Sequence, residues 1–249
     1  MPDTQHAAPK QGITDEGYLT DSWYLAAPST DLVAGKQHRI MVLGEPVVVG
    51  RTPKGEPFAL RDICPHRLVP LSAGQQLETD GEWTLQCPYH GWRFGTDGGC
   101  KLMPSLTDDS PYDPSKVKVR RYPVHEANGA VYLYVAHNPR ELAPPAVPPP
   151  EFGPLPDKPG FVIHDVFNAH MDDAVVGLMD PAHGPYVHQQ WWWRSRHSMH
   201  DKQKAFEPRD QGFAMVRHRP SSNSRAYKLL GGTPETEITF RLPGYRWEH

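Results

Sequence analysis

The sequence predicts an α+β protein in which an all-β domain is followed by a second domain of strands and helices. Residues 20–140 contain short runs of β-branched and aromatic residues, such as VYLYV at 131–135, separated by turns that contain glycine. Residues 141–160 include eight prolines, which fix φ and lack the N–H that a sheet needs, so we expect an extended linker there. Residues 161–249 would form the second domain, and residues 1–19 a flexible tail.

The second domain is expected to mix both kinds of element. FVIHDVFNAH at 161–170 is typical of a strand, and MDDAVVGLMD at 171–180 is typical of a helix with acidic residues at its positive N-terminal end. FAMVRH at 213–218 and TEITFRL at 236–242 are predicted as further strands.

Composition excludes several classes of function. A net charge of −3 and a pI near 6.5 leave no broad basic field for nucleic acid. Mean hydropathy is −0.62, and no apolar run approaches the roughly 18 residues of a membrane span. The N-terminus has no basic start followed by an apolar stretch, so we expect a cytoplasmic protein.

Two short motifs place sulfur and nitrogen ligands in pairs. Cys64 and His66 lie two apart, and Cys87 and His90 lie three apart. Two cysteines and two histidines can hold zinc, but zinc fingers usually keep like ligands together. Each loop here mixes them, which favours a [2Fe–2S] cluster with cysteines on one iron and histidines on the other. The third cysteine, Cys100, is expected to be a small buried side chain.

The residues around these ligands point to a family. CPHR at 64–67 and CPYHGWRF at 87–94 resemble the Rieske domain of ring-hydroxylating and O-demethylating oxygenases. The resemblance implies that the two cysteines and two histidines bind a Rieske [2Fe–2S] cluster. Histidine ligation raises the reduction potential above that of an all-cysteine cluster.

A second motif lies in LMDPAHGPYVH, where Asp180, His183 and His188 follow one another as Dx2Hx4H. Asp180 and His183 would share one helical face. His188 would not on an unbroken helix, but the intervening prolines and glycine can bend the chain. Two histidines with a carboxylate form the facial triad of non-haem Fe(II) oxygenases.

This segment resembles the mononuclear-iron motif of oxygenases similar to pheophorbide oxygenase and aromatic O-demethylases. The resemblance implies that His183 and His188 bind the iron. It also implies that Asp180 is a catalytic bridging acid, hydrogen-bonded across a subunit interface to the cluster ligand His90. Only 61 residues follow His188, and none of their acids has a recognisable context, so we expect the carboxylate ligand to lie beyond the chain end of a truncated protein.

By the same resemblance, the second domain is an incomplete helix-grip fold, an antiparallel sheet with helices. The expected function is that of the oxygenase component of a Rieske system, a monooxygenase or dioxygenase. It would take electrons from NAD(P)H through a reductase or ferredoxin and use O2 to hydroxylate, dihydroxylate or O-demethylate an aromatic or apolar organic substrate. The intact protein would be a homotrimer.

Two alternatives remain from the sequence. One is an electron carrier like a Rieske ferredoxin, although a carrier does not need the second metal motif. The other is a catalytically dead fragment of the oxygenase.

Overall fold

The computed structural model describes residues 17–138, 147–149, 161–163, 165–180, 183–187, 203–219 and 235–249. The chain folds as two compact units, Met1–Val162 and Ile163–His249.

The first unit is built from short strands joined by turns. Within its described residues this unit has ten strands: β1 Ser22–Pro28, β2 Gln37–Val42, β3 Glu45–Arg51, β4 Pro57–Arg61, β5 Gln75–Thr79, β6 Glu82–Gln86, β7 Arg93–Phe94, β8 Cys100–Leu102, β9 Val124–Ala127 and β10 Ala130–Val135.

All pairings between these strands are antiparallel, and they form three sheets. The strand orders are β1-β10-β9, β2-β3-β4 and β5-β6-β7-β8. Val47, Val48 and Val49 of β3 are fully buried, so this central strand has apolar contacts on both of its faces. The β5–β8 sheet packs its apolar side chains around Leu85 and Phe94, both fully buried.

The second unit combines helices with an antiparallel sheet. The helices are α1 Met171–Met179 and α2 Gly184–Val187, and the sheet has the order β11 Phe206–Arg209, β12 Gly212–His218, β13 Thr236–Arg241 and β14 Tyr245–Glu248. The side chain of His170 accepts a hydrogen bond from the backbone N–H of Asp172 and so caps α1. The α+β class, the helix at 171–180 and the strands at 213–218 and 236–242 are therefore confirmed.

One predicted element is wrong. Residues 161–170 form no strand where the structure describes them, although five of the ten are apolar or aromatic side chains typical of strands. The side chains of Phe161, Ile163 and Val166 are each more than three-quarters exposed, and no strand of the described chain pairs with this segment. A strand needs a hydrogen-bonding neighbour, which β-propensity alone does not supply.

Candidate metal centre

The first ligand loop follows β4 and closes on itself. The N–H of Cys64 donates to the carbonyl of Val69 at 2.9 Å, and the N–H of Leu68 donates to the carbonyl of Cys64 at 2.9 Å. Leu68 has a φ of 59°, an unusual conformation for a leucine, and it turns the chain back at this point. His66 therefore lies at the tip of a tight, hydrogen-bonded loop.

The second ligand loop follows β6 and has the same construction. The N–H of Cys87 donates to the carbonyl of Trp92 at 2.8 Å, and the N–H of Gly91 donates to the carbonyl of Cys87 at 3.2 Å. Gly91 has a φ of 72°, and a Cβ there would lie 3.1 Å from Cγ of Pro104. Glycine is therefore the residue that suits this turn.

The two cysteine side chains are buried together. Cys64 is 1% and Cys87 2% exposed, and both pack in one core that includes Leu71 and Phe94. Burial raises the pKa of the Cys64 thiol to about 11, although the backbone N–H of His66 favours the thiolate by hydrogen bonding. A bound cation would reverse this balance, because metal binding deprotonates thiols.

The two imidazoles lie side by side at the surface. The ring centroids of His66 and His90 are 4.6 Å apart, and both residues are exposed. The pKa of His66 is lowered, first by partial desolvation and then by the neighbouring His90. A lowered pKa favours the neutral imidazole, which is the form that binds metals.

These four side chains therefore divide into a buried sulfur pair and an exposed nitrogen pair. Among the residues that the structure describes, no three histidine, cysteine or acidic side chains are placed to share one metal ion. A tetrahedral zinc ion would require all four ligands around one point, whereas a Rieske cluster takes two ligands at each of two irons. The arrangement fits the two-iron cluster better.

Cys100 does not belong to the set of four predicted ligands. It is 2% exposed, and its sulfur donates a hydrogen bond to the carbonyl of Leu102 at 3.4 Å. Burial raises the pKa of its thiol. It is the small buried side chain that the sequence predicts.

A buried carboxylate next to the first loop was missed by the sequence analysis. Asp62 lies two residues before Cys64, and its side chain is completely buried. Its two oxygens accept hydrogen bonds from the N–H and the hydroxyl of Ser72, at 2.6 and 2.7 Å, and Nε of Arg39 lies 3.7 Å away. The sequence signal for this residue was the acid in DICPHR, just before the first ligand pair. Acids are almost never fully buried without partners, so its burial beside the ligands indicates a specific role.

The second predicted site is described only in part. Nδ1 of His183 lies 2.7 Å from the backbone carbonyl oxygen of Asp180 and 3.6 Å from its carboxylate. The prediction that Asp180 and His183 share one helical face is wrong, because α1 ends at Met179, Asp180 is extended with a ψ of 115°, and α2 begins only at Gly184. His188 lies outside the described residues.

The contact at Nδ1 suits a metal-binding histidine. If Nδ1 carries the proton, it donates to the carbonyl of Asp180, and the lone pair is on Nε2 of His183. Histidine ligands commonly have such a second partner, which fixes the tautomer and the ring orientation.

Acids of the second-unit sheet have arginine partners. Glu235 lies 3.3 Å from Arg219, and Glu248 lies 3.4 Å from Arg246. Glu237 lies 3.7 Å from Arg209, which also contacts Glu207. In the described part of the chain, none of these acids is grouped with a histidine as a metal site.

Paired cysteines and histidines on two proline-bearing loops of an all-β unit define an iron–sulfur domain. The family model described as Rieske [2Fe-2S] domain matches residues 22–123, so this chain contains a Rieske domain.

Similar proteins extend this identification beyond the domain. The chain is 33% identical to chlorophyllide a oxygenase of Arabidopsis thaliana over 69% of its own length and 29% of the relative's. It is 30% identical to pheophorbide a oxygenase of Oryza sativa subsp. japonica over 95% of its own length and 43% of the relative's. The resemblance that the motifs indicated is thus confirmed, and it includes residues of both units.

A solved structure shows the same fold. Dicamba monooxygenase bound to dicamba superimposes with a TM-score of 0.67, covering 92% of this chain and 65% of that one, at 24% identity. The chain therefore spans less than two thirds of the length of each of these three proteins. No helix in the described residues is long and apolar enough to cross a membrane.

Proposed function

We propose that this chain acts as the oxygenase component of a Rieske non-haem iron system. Cys64, His66, Cys87 and His90 would hold the [2Fe–2S] cluster, and His183 and His188 would bind a mononuclear iron. The observation that carries the proposal is the division of the first site into a buried pair of sulfurs and an exposed pair of imidazoles 4.6 Å apart. A Rieske cluster supplies one-electron transfer, and a non-haem iron supplies O2 activation.

The ligand loops would perform two tasks. Their internal hydrogen bonds hold Cys64 and Cys87 in the apolar core, which keeps water from the sulfur side of the site. The exposed imidazoles of His66 and His90 form the side that a redox partner or a neighbouring subunit can reach. Electrons would therefore enter and leave by the histidine side.

At the second site, Asp180 would act in two ways. Its backbone carbonyl orients His183 by contact with Nδ1. Its carboxylate would connect to His90 of a neighbouring subunit in a homotrimer, and so link the cluster of one subunit with the iron of the next. His188 would complete the histidine pair.

Partners and substrate are part of the same proposal. A ferredoxin or an NAD(P)H-dependent reductase would supply the electrons. The substrate would be an aromatic or otherwise apolar organic molecule, as the names of the chlorophyllide a and pheophorbide a oxygenases suggest by analogy. A cytoplasmic location stays a prediction.

Metal and sulfide analysis of anaerobically purified protein tests the proposal. We expect about three irons and two labile sulfides per chain, with the EPR signal of a reduced Rieske cluster. About two irons would instead support the carrier or the inactive fragment. Zinc without labile sulfide would overturn the cluster assignment.

Matched variants test the individual ligands. Cys64→Ser and Cys87→Ser are expected to abolish the visible absorption of the cluster, whereas Cys100→Ser, which changes an equally buried thiol, should keep it. His66→Ala should likewise lose the Rieske signal, and His38→Ala on β2 should not. Retention of a normal signal in any ligand variant would remove that residue from the site.

A further inference from the structure

We infer that the buried carboxylate of Asp62 is a positioning residue that lowers the reduction potential of the cluster by its fixed charge. The inference rests on the proposed function, because it requires a cluster between the two ligand loops. It concerns a residue that is not itself a ligand.

The carboxylate is held in one place by its contacts. Its side chain is 0% exposed, and each oxygen accepts a hydrogen bond from Ser72, one from the backbone and one from the hydroxyl. The N–H of Asp62 also donates to the carbonyl of Pro46 on β3 at 2.8 Å. A charge fixed in this way in a poorly solvated environment acts at longer range than an exposed one.

The same contacts connect the two ligand loops. Ser72 belongs to a helical turn, Leu71–Ala73, and Leu71 packs in the same core as both ligand cysteines. The next residue, Gly74, approaches the backbone of Gln86 so closely that a Cβ would lie 1.8 Å from the Gln86 carbonyl oxygen. Asp62 thus anchors the start of the first loop to a segment that contacts the start of the second.

The direction of the electrostatic effect follows from charge. Uptake of one electron, from dithionite in a titration, adds one negative charge to the cluster. A fixed carboxylate two residues from Cys64 opposes that change and lowers the potential. Arg39 is about half exposed and lies 3.7 Å from the carboxylate. Its positive charge partly offsets the lowering of the reduction potential.

Three substitutions separate charge from anchoring. Asp62→Asn removes the charge and keeps an oxygen that can accept a hydrogen bond from Ser72. Ser72→Ala removes one hydrogen bond and keeps the charge. Arg39→Gln removes the opposite charge at the surface. Potentials are measured by mediated titration followed by absorption and EPR. At the midpoint potential of the unmodified protein, Asp62→Asn should raise the ratio of reduced to oxidised cluster at least about threefold.

Arg39→Gln should lower the ratio of reduced to oxidised cluster. Ser72→Ala should change this ratio less than Asp62→Asn or Arg39→Gln does. Because Arg39 is exposed, its variant tests the same field even if Asp62→Asn fails to fold. An unchanged potential in a loaded Asp62→Asn protein, or a shift of the same sign in Arg39→Gln, would overturn the inference. If the unmodified protein binds no cluster, the proposed ligand assignment fails first.

Discussion

The imidazole of His66 stacks face to face on the indole of Trp92, with ring centroids 4.7 Å apart and ring planes 3° apart. The two residues belong to different ligand loops, and the N–H of Cys87 donates to the carbonyl of Trp92. The stack therefore joins the tip of the first loop to the end of the second. It holds the His66 ring in a fixed orientation beside His90.

Loss of this stack should make the cluster less durable. Aromatic pairs contribute about 0.5–1.5 kcal/mol beyond their buried area, so Trp92→Leu should shorten the half-life of the visible absorption in air by about two- to tenfold. Trp92→Phe keeps a ring and should show a smaller effect. Equal half-lives in Trp92→Leu and the unmodified protein would contradict this role.

The ion pair between Arg51 and Glu126 predicts a pH-dependent contribution to stability. The guanidinium donates two hydrogen bonds to the carboxylate, at 2.6 and 2.8 Å, and joins β3 to β9. Hydrogen bonding from Arg51 lowers the pKa of Glu126 below its usual 4.5. Because the folded state holds this proton less tightly, the stabilisation is present above the unfolded pKa and is lost as pH falls through the lowered folded pKa.

Glu126→Gln should therefore lower the free energy of unfolding at pH 7 by about 0.5–1 kcal/mol, a figure reduced for partial exposure of the pair. The difference should disappear when denaturant unfolding is repeated well below pH 4.5. Glu78→Gln, at an exposed position on β5, is the matched control and should change little. A deficit that stays constant with pH would argue against the ion pair as its source.

The candidate cluster ligands could be picked out from the sequence because the information for them is local. Each ligand pair lies within four residues, and the glycine and prolines that shape the loops are in the same short motifs. The partner of Asp62 is ten residues away on another turn, so its role depended on the fold. The stacking of Trp92 on His66 also depends on the fold, because the two residues belong to different ligand loops.

Some strands that form are too polar to be predicted from composition. β5, with the sequence QQLET, is largely polar, and Gln76 on it bonds to Gln37 and Trp83 through its amide. β11 contains Pro208 and lies at the edge of its sheet, a position that tolerates proline. In both cases the strand forms because it pairs with a neighbouring strand, β6 for β5 and β12 for β11. The composition of the strand alone does not reveal this pairing.

The close approach of Gly74 to Gln86 predicts a severe effect for a small substitution. A Cβ at Gly74 would lie 1.8 Å from the Gln86 carbonyl oxygen, so Gly74→Ala must displace backbone directly before Cys87. We expect a loss of about 2–4 kcal/mol in the free energy of unfolding and poor cluster retention. Denaturant unfolding and the visible absorption measure the two effects.

Gly177→Ala is the control for this change. Gly177 lies in α1, and a Cβ there would meet nothing within 4 Å. Alanine is favoured over glycine in a helix by about 0.5–1 kcal/mol, so this variant should be neutral or more stable. If both variants unfolded alike, the close approach at Gly74 would not be the cause.

The contact between His183 and Asp180 predicts which histidine of the second unit affects iron content. If Nδ1 of His183 donates to the Asp180 carbonyl, Nε2 is the atom that binds the metal. His183→Ala should then lower iron by about one per chain while the EPR signal of the reduced cluster is unchanged. His218→Ala is the matched control, since Nδ1 of His218 also lies 3.0 Å from a backbone carbonyl oxygen, that of Val216. Equal iron content in the two variants would mean that His183 does not bind the metal, and loss of the cluster signal in His183→Ala would mean that the two metal sites are not independent.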